Sequence, residues 1–457
     1  MSSGGRRKKV LVLAYYFAPV GASGTFRTLK FVKYLCRHGW ESIVVTVAPE
    51  YEPLESVDES LLSEVPPATV VYRTYAWQPN RLFRRRFRGN TATPATEGGP
   101  PRQRRQSALR SAIRSIVRSI GRSGWYPFAV WAALKATWKH DVDLIYASGP
   151  PFACSLAGLT LKRLTGKPLV SDFRDPWGSN TYHDSPHSLN ARLALYLERK
   201  TFQASDRIIN VSSDLETKAK SRSPAYLADR FVTIPNGFDP EDFPEPHRLP
   251  GSSTCSEFRI TYTGCFYPGN REPFNFLRAL DLLRAQEPEL FEDIRADFVG
   301  EEQWAVEHRE WLSQLNLGDH VMFRPFMSHR EAVALLHESD ILLMIGSVKA
   351  ADTGSLPAKL FEYLAVGQPI LALVHDGESA RFVRNSGVGM VADPERPEDI
   401  CTALTRLIRL IRSGQFGKQM NEALLRRHDR RHLAAELASV FDAITGQPAH
   451  ERQSPPR

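Results

Sequence analysis

Short apolar runs alternate with amphipathic stretches along most of this chain, and the alternation predicts strands and helices in succession. Residues 9–16 form a near-continuous apolar run, the pattern of a strand buried on both faces of a parallel sheet. A loop with Pro19, Gly21 and Gly24 follows, then an amphipathic helix over about 25–37, stopped by Gly39. Strands are predicted at 42–47, 143–147, 168–172 and 207–211, with a helix at about 152–164. Pro, Asp and Gly then dominate residues 235–250, the best linker in the chain. Alternation resumes with strands at 259–263, 294–299, 320–323, 341–345 and 370–374, each separated by a helical segment. The expected fold is α/β: two doubly wound parallel-sheet (Rossmann-like) domains facing across a cleft. Their expected extents are 1–245 and 246–430, with a last helix at 431–445 able to pack back on the first domain and a disordered tail at 446–457.

A chain of 457 residues suits this division, since one core seldom grows so large. Five scattered cysteines (Cys36, Cys154, Cys255, Cys265, Cys401) form no CxxC pair, which argues against a disulfide framework or a zinc site. No uninterrupted apolar stretch is long enough to span a bilayer, and the N-terminal run leads straight into a structural loop. The expectation is a cytoplasmic protein.

The net charge of +8 is concentrated in one place. Residues 81–122 hold twelve arginines against one acid, Glu97, and break the alternating plan as an insertion. In the last part, 107–122, Leu109, Ile113, Ile116, Val117 and Ile120 recur at helical spacing, while Arg110, Arg114, Arg118 and Arg122 recur every four residues. A helix of this kind suits an anionic membrane surface, with Arg110, Ile113, Arg114, Ile116 and Ile120 at the contact. Nucleic acid is a poor partner, because only Phe83 and Phe87 interleave the arginines as stacking residues.

Ligands of doubly wound sheets sit beyond the carboxyl ends of the strands, so the loops leaving strands there are the candidates. Gly21 and Gly24 follow the first strand and permit close backbone approach to a ligand. In SDFRDPW, Asp172 and Asp175 flank Arg174 directly after a strand; three charges there are costly unless paired or used. TGCFYPGNREP follows the first strand of the second domain and offers Gly264, Gly269 and Arg271. GSLPAKLFEYLAVGQPI reads as a helix entered through Gly354, Ser355 and Pro357 and ended by Gly367, its N-terminus suited to a diphosphate. Lys359 and Glu362 stand at i, i+3 on one face and could simply pair with each other. Asp141 and Asp143 have Asp-x-Asp spacing but precede their strand, on the edge away from the cleft, so no metal site is expected.

Together SGPPF (148–152), DFRDPW (172–177) and PAKLFEYL (357–364) resemble the GT-B glycosyltransferases of the glycogen-synthase-like group, often called family 4, and most of all bacterial members of cell-surface polysaccharide pathways. The resemblance covers nearly the whole chain apart from 81–122 and the tail. It implies retaining, metal-independent transfer from a nucleotide diphosphate sugar, with no cofactor, to a glycan or lipid-linked acceptor on the inner face of a membrane. It also implies that Glu362 holds the donor ribose, as the second glutamate of an Ex7E motif. The first glutamate falls on Gly354, where backbone of Gly354 and Ser355 would take its place. The family's basic pair for the diphosphate falls near Arg271 and Lys359, and its glycine loop on Gly21 to Gly24. Arg174 stands where a histidine is often found, with Asp172 and Asp175 both candidates to contact the donor sugar. Two other readings stay open: a non-catalytic GT-B relative that binds nucleotide or glycan, and a nucleotide-sugar epimerase.

Overall fold

The apolar runs assemble into two separate sheets whose strand pairs are all parallel. The structure is a computed structural model that describes residues 6–51, 57–77, 124–178, 189–243, 257–267, 269–300, 302–348, 354, 356–416 and 420–446. The basic segment at 81–122, with Arg110, Ile113, Arg114, Ile116 and Ile120, lies outside the described residues, as do Ser355 and the last eleven positions, 447–457.

The first sheet contains β1 (Lys8–Ala14), β2 (Trp40–Val47), β3 (Val70–Thr74), β4 (Leu144–Gly149), β5 (Leu169–Phe173), β6 (Arg207–Asn210) and β7 (Phe231–Thr233), in the order β3-β2-β1-β4-β5-β6-β7. Its helices are α1 (Ser23–Leu35), α2 (Tyr126–His140), α3 (Ala153–Thr165), α4 (Leu189–Ala204) and α5 (Ser213–Ser221). The second sheet contains β8 (Phe258–Thr263), β9 (Ile294–Val299), β10 (Val321–Arg324), β11 (Ile341–Ile345), β12 (Ile370–Leu373) and β13 (Gly389–Ala392), in the order β10-β9-β8-β11-β12-β13. Around it lie α6 (Phe274–Gln286), α7 (Pro288–Glu292), α8 (Glu302–Glu307), α9 (Arg309–Gln314), α10 (His329–His337), α11 (Ala358–Val366), α12 (Glu378–Ser386), α13 (Pro397–Arg412) and α14 (Glu422–Arg427).

Central strands are buried along their length because helices cover both faces, which is why β1 and β11 read as apolar runs. The order in which strands are added reverses between β1 and β4 in one sheet and between β8 and β11 in the other. Such switch points open a crevice at the carboxyl edge, beside the loops after β1, β4 and β8.

The last helix, α15 (Arg430–Thr445), belongs to the first sheet and not to the second, which precedes it in the chain. Its Leu433, Leu437, Phe441 and Ile444 join Val10, Val12, Phe31 and Tyr146 in one buried cluster. The described start of the segment between the two units, up to residue 243, is pinned. Asp239 accepts from Lys33 at 2.8 Å and Tyr34 at 2.5 Å, and Phe238 exchanges backbone bonds with His428 and Arg430. The buried Asp239 carboxylate thus anchors the start of this Pro- and Gly-rich stretch to α1.

Candidate functional site

The two carboxyl edges face each other and touch. Glu378 at the start of α12 accepts from Ser213 Oγ at 2.7 Å and from the Asp214 amide at 3.0 Å, so a carboxylate of one unit caps the helix N-terminus of the other. Ser212 Oγ donates to the Gly354 carbonyl at 2.9 Å. On another side, the His329 amide donates to Asp58 at 3.1 Å and the His329 ring lies 4.7 Å from that of Phe26 on α1.

From the first sheet, Gly24 opens α1 and lies against Arg174, which follows β5. A Cβ on Gly24 would come within 2.5 Å of Arg174 Nη1, so the glycine makes room for the guanidinium. Gly21 lies in the same loop, half-buried. Arg174 donates through its amide to Gly149 at 2.9 Å and through Nη2 to the Pro150 carbonyl, yet its buried Nε has no partner among the described residues. Asp175 sits half-buried beside it.

Asp172, at the end of β5, is held by its neighbours in the first unit. Its side chain faces inward, 0% exposed, and not toward the cleft. Arg27 donates to both oxygens at 2.9 Å, while Tyr146 and Ser148 donate to Oδ2 at 2.6 and 2.9 Å. Four donors thus converge on this carboxylate, three of them on Oδ2. Burial pushes the Asp172 carboxyl up, but the Arg27 guanidinium, the Tyr146 hydroxyl and Arg174 together outweigh it and the net shift is downward. Arg27 also donates to the carbonyls of Ile234 and Pro235 at 2.9 and 2.8 Å, tying β5 to the entrance of the connecting segment.

From the second sheet, Lys359 on α11 reaches back to β8. Its ammonium donates to the Thr263 carbonyl at 2.6 Å and lies 4.1 Å from the Tyr262 ring centre. The φ of +119° at Gly264 is left-handed and favours glycine, and a Cβ there would stand 2.7 Å from that ammonium and displace it. Arg271 holds its guanidinium 5.3 Å from the Tyr267 ring centre, and its buried Nε also lacks a partner among the described residues. Three cations, Lys359, Arg271 and Arg174, thus end at the carboxyl edges, two of them with an orphaned buried donor. Such donors cost about 1–3 kcal/mol each unless a ligand satisfies them.

Glu362 was expected to pair with Lys359 or a ribose. The partner placed on it is His329, whose Nε2 stands 3.5 Å from Oε1. Burial opposes the charge on His329, but Glu362 and Asp242 outweigh it and raise the imidazole pKa. Gly354 is packed by α5: a Cβ there would stand 3.2 Å from the Asp214 Cβ and from Lys218 Nζ. Asp141 and Asp143 pair with Arg6 at the amino edge, away from all of this.

Sequence reasoning missed Arg27, Tyr146, His329 and Arg430, and noticed Ser148 only as part of SGPPF. Arg430 is 2% exposed, and its Nη1 has no partner among the described residues. Burial lowers the Arg430 pKa and Arg27 beside it lowers it further. Each of these residues is distant in the chain from the group it serves, so spacing carries no signal; only the cost of a cation inside an amphipathic helix, as at Arg27, hints at a buried partner.

Residues 88–242 match the model of Glycosyltransferase Family 4, and residues 261–422 match that of Glycosyl transferases group 1. No curated protein matches the sequence. Among solved structures, sucrose-phosphate synthase of Thermosynechococcus elongatus superposes with a TM-score of 0.65 at 16% identity, covering 96% of this chain and 100% of that one. HepE of Anabaena in complex with UDP and glucose gives 0.63 at 16% identity, covering 95% and 100%. WaaG, a glycosyltransferase involved in lipopolysaccharide biosynthesis, gives 0.56 at 13% identity, covering 96% and 100%. These likenesses are of the GT-B fold.

Proposed function

Starting from a chain that belongs to the family 4 glycosyltransferases and moves a sugar from a nucleotide-sugar donor, we propose a retaining, metal-independent transfer to a lipid-linked or polysaccharide acceptor at the inner face of a membrane. The observation that carries the donor side is the set of cations at the facing carboxyl edges, with the unsatisfied Nε donors of Arg174 and Arg271. In this reading the second unit, 246–430, takes the nucleotide sugar and the first, 1–245, takes the acceptor.

The bond between the anomeric carbon and the diphosphate oxygen breaks as the acceptor oxygen bonds the same carbon on the same face. The acceptor proton passes to the departing diphosphate. Negative charge grows on that diphosphate, and fixed donors aimed at it lower the barrier. Arg271, Lys359 and the positive end of the α11 dipole suit this task, with Gly264 letting the lysine approach. Arg174 lies across the cleft beside Gly24 and Asp175, where it would meet the donor sugar or its phosphate; Gly354 and Ser355 would line the sugar with backbone. Glu362 would accept from the ribose hydroxyls, and His329 keeps it ionised. HepE, which holds UDP, supports a nucleoside diphosphate as the ligand of this edge.

The acceptor reading rests on the amphipathic arginine helix expected at 107–122, and among the described residues no helix is long and apolar enough to cross a membrane. Release of nucleoside diphosphate from a panel of nucleotide sugars tests both halves. Lipid extract should stimulate release, and EDTA should leave it intact because protein cations neutralise the diphosphate. Release unaffected by lipid would remove the lipid-linked acceptor; loss with EDTA and rescue by magnesium would remove the metal-free mechanism. Conversion of the donor sugar without any release would indicate an epimerase.

Glu362→Gln should raise the donor KM and lower turnover by roughly tenfold to a hundredfold, the worth of a charged hydrogen bond of about 1.5–3 kcal/mol. Unchanged kinetics would leave Glu362 as no more than the partner of His329.

A further inference from the structure

Helix α2 covers one face of the first sheet with its alanines and turns two tryptophans to water. Ala129, Ala132, Ala133 and Ala136 are buried, whereas Trp131 and Trp138 are 68% and 72% exposed. Trp131, Leu134, Lys135, Trp138 and Lys139 line a shallow depression of about 510 Å³. Their spacing of three, four, seven and eight residues places them on one helix face. Lys135 reaches over the Trp131 ring, 5.5 Å from its centre. The helix sequence, YPFAVWAALKATWKH, contains no carboxylate.

This exposed face continues toward the carboxyl edge of the sheet. Phe128, one turn before Trp131, packs edge-on against Tyr75 at 4.9 Å, and the Trp77 amide bonds Gly124 at 3.3 Å just before the helix. Tyr75 and Trp77 are themselves 47% and 53% exposed. Single exposed apolar residues are ordinary, but a stripe of large aromatics with lysines and no acid is a different surface. Tryptophan favours the headgroup level of a bilayer, where its ring is dehydrated and its N–H stays wet, and lysine stems lie along apolar surface while the ammonium meets anionic headgroups.

We infer that the outward face of α2, with Trp131 and Trp138 as anchors and Lys135 and Lys139 beside them, is a docking surface for an anionic lipid bilayer. It is distinct from the arginine segment, and it deepens the membrane-side acceptor reading above, on which it rests. Docked there, the sheet's carboxyl edge at Thr74 and Trp77 lies at the end of the same stripe, so the cleft stays near the membrane plane.

The full chain is mixed with vesicles of phosphatidylcholine alone and of phosphatidylcholine with a quarter phosphatidylglycerol, and sedimentation and tryptophan fluorescence are read. The wild type should bind the anionic vesicles and be quenched by brominated lipid. Trp131→Ser with Trp138→Ser should weaken binding about tenfold or more, with the thermal midpoint and nucleoside diphosphate binding unchanged. Trp131→Phe with Trp138→Phe should retain binding but lose most brominated-lipid quenching, a readout tied to the position of these two rings. Binding and quenching unaffected by either double variant would overturn the inference. So would an absence of vesicle binding, or a mass twice that of the monomer that the serine variants reduce, which would assign the face to a second copy. Nucleoside diphosphate binding without vesicle binding rejects this surface alone; loss of both in the wild type rejects the enzyme reading too.

Discussion

Asp172→Asn should lower the thermal midpoint by on the order of 10 °C while any fraction that folds still turns over. Arg27 is 1% exposed and Asp172 is 0% exposed, so neither charge is solvated by water. Removing one partner of a buried pair costs about 3–5 kcal/mol, because the other charge stays behind uncompensated. For a unit of roughly 200 residues, each kcal/mol is worth about 2–4 °C. Arg27→Met should cost a similar amount, and the double variant less than the sum of the two, as expected for a coupled pair. Scanning calorimetry on the three variants checks this. A native midpoint with lost turnover in Asp172→Asn would return the residue to the donor sugar.

The second large effect is on chemistry. Lys359→Ala should reduce kcat by roughly a hundredfold to a thousandfold, the range seen when one preorganised donor to a developing oxyanion is removed. Binding of free nucleoside should persist while that of nucleoside diphosphate weakens. Gly264→Ala should reproduce much of the loss with the lysine still present, because the added methyl would stand 2.7 Å from the ammonium and the φ of +119° resists any side chain. Equal weakening of nucleoside and diphosphate binding in Lys359→Ala would mean that the lysine serves only the loop after β8. Single-turnover kinetics with isothermal titration separates these outcomes.

These two residues show what the sequence could disclose. Buried runs such as residues 9–16 announced the central strands, and Gly39 and Gly367 ended their helices in the left-handed conformation, with φ of 82° and 76°. Three of the four edge strands were harder to see, all but β10. β3 is VVYRT and half-exposed, β7 has three residues, and β13 is GMVA, so none carries an apolar run long enough to stand out. Helix α2 went unread because Phe128, Val130, Trp131, Leu134 and Trp138 put apolar groups all round it, which hides its buried alanine face. In the site, glycines and cations near strand ends were legible because the chemistry of a loop at a carboxyl edge is local. What escaped was direction: nothing in SDFRDPW tells that Asp172 points inward to Arg27 while Arg174 lies against Gly24. The alternation of strand side chains gives the two residues opposite or equal faces only once the last strand position is known.

The placement of α15 has a consequence for how the protein is made. Leu433, Leu437 and Phe441 complete a cluster begun by Val10 and Val12, so the first sheet waits for residues translated after nearly all of the second. A ribosome at residue 400 has already supplied every strand of both sheets, yet one face of the first remains without its cover. The second unit can close during synthesis, whereas the first must hold an exposed apolar surface until the end. Expression of residues 1–245 by themselves would therefore yield an open, aggregation-prone fragment, and a nonsense codon just before 430 would leave the first unit uncovered although all its own strands had been made.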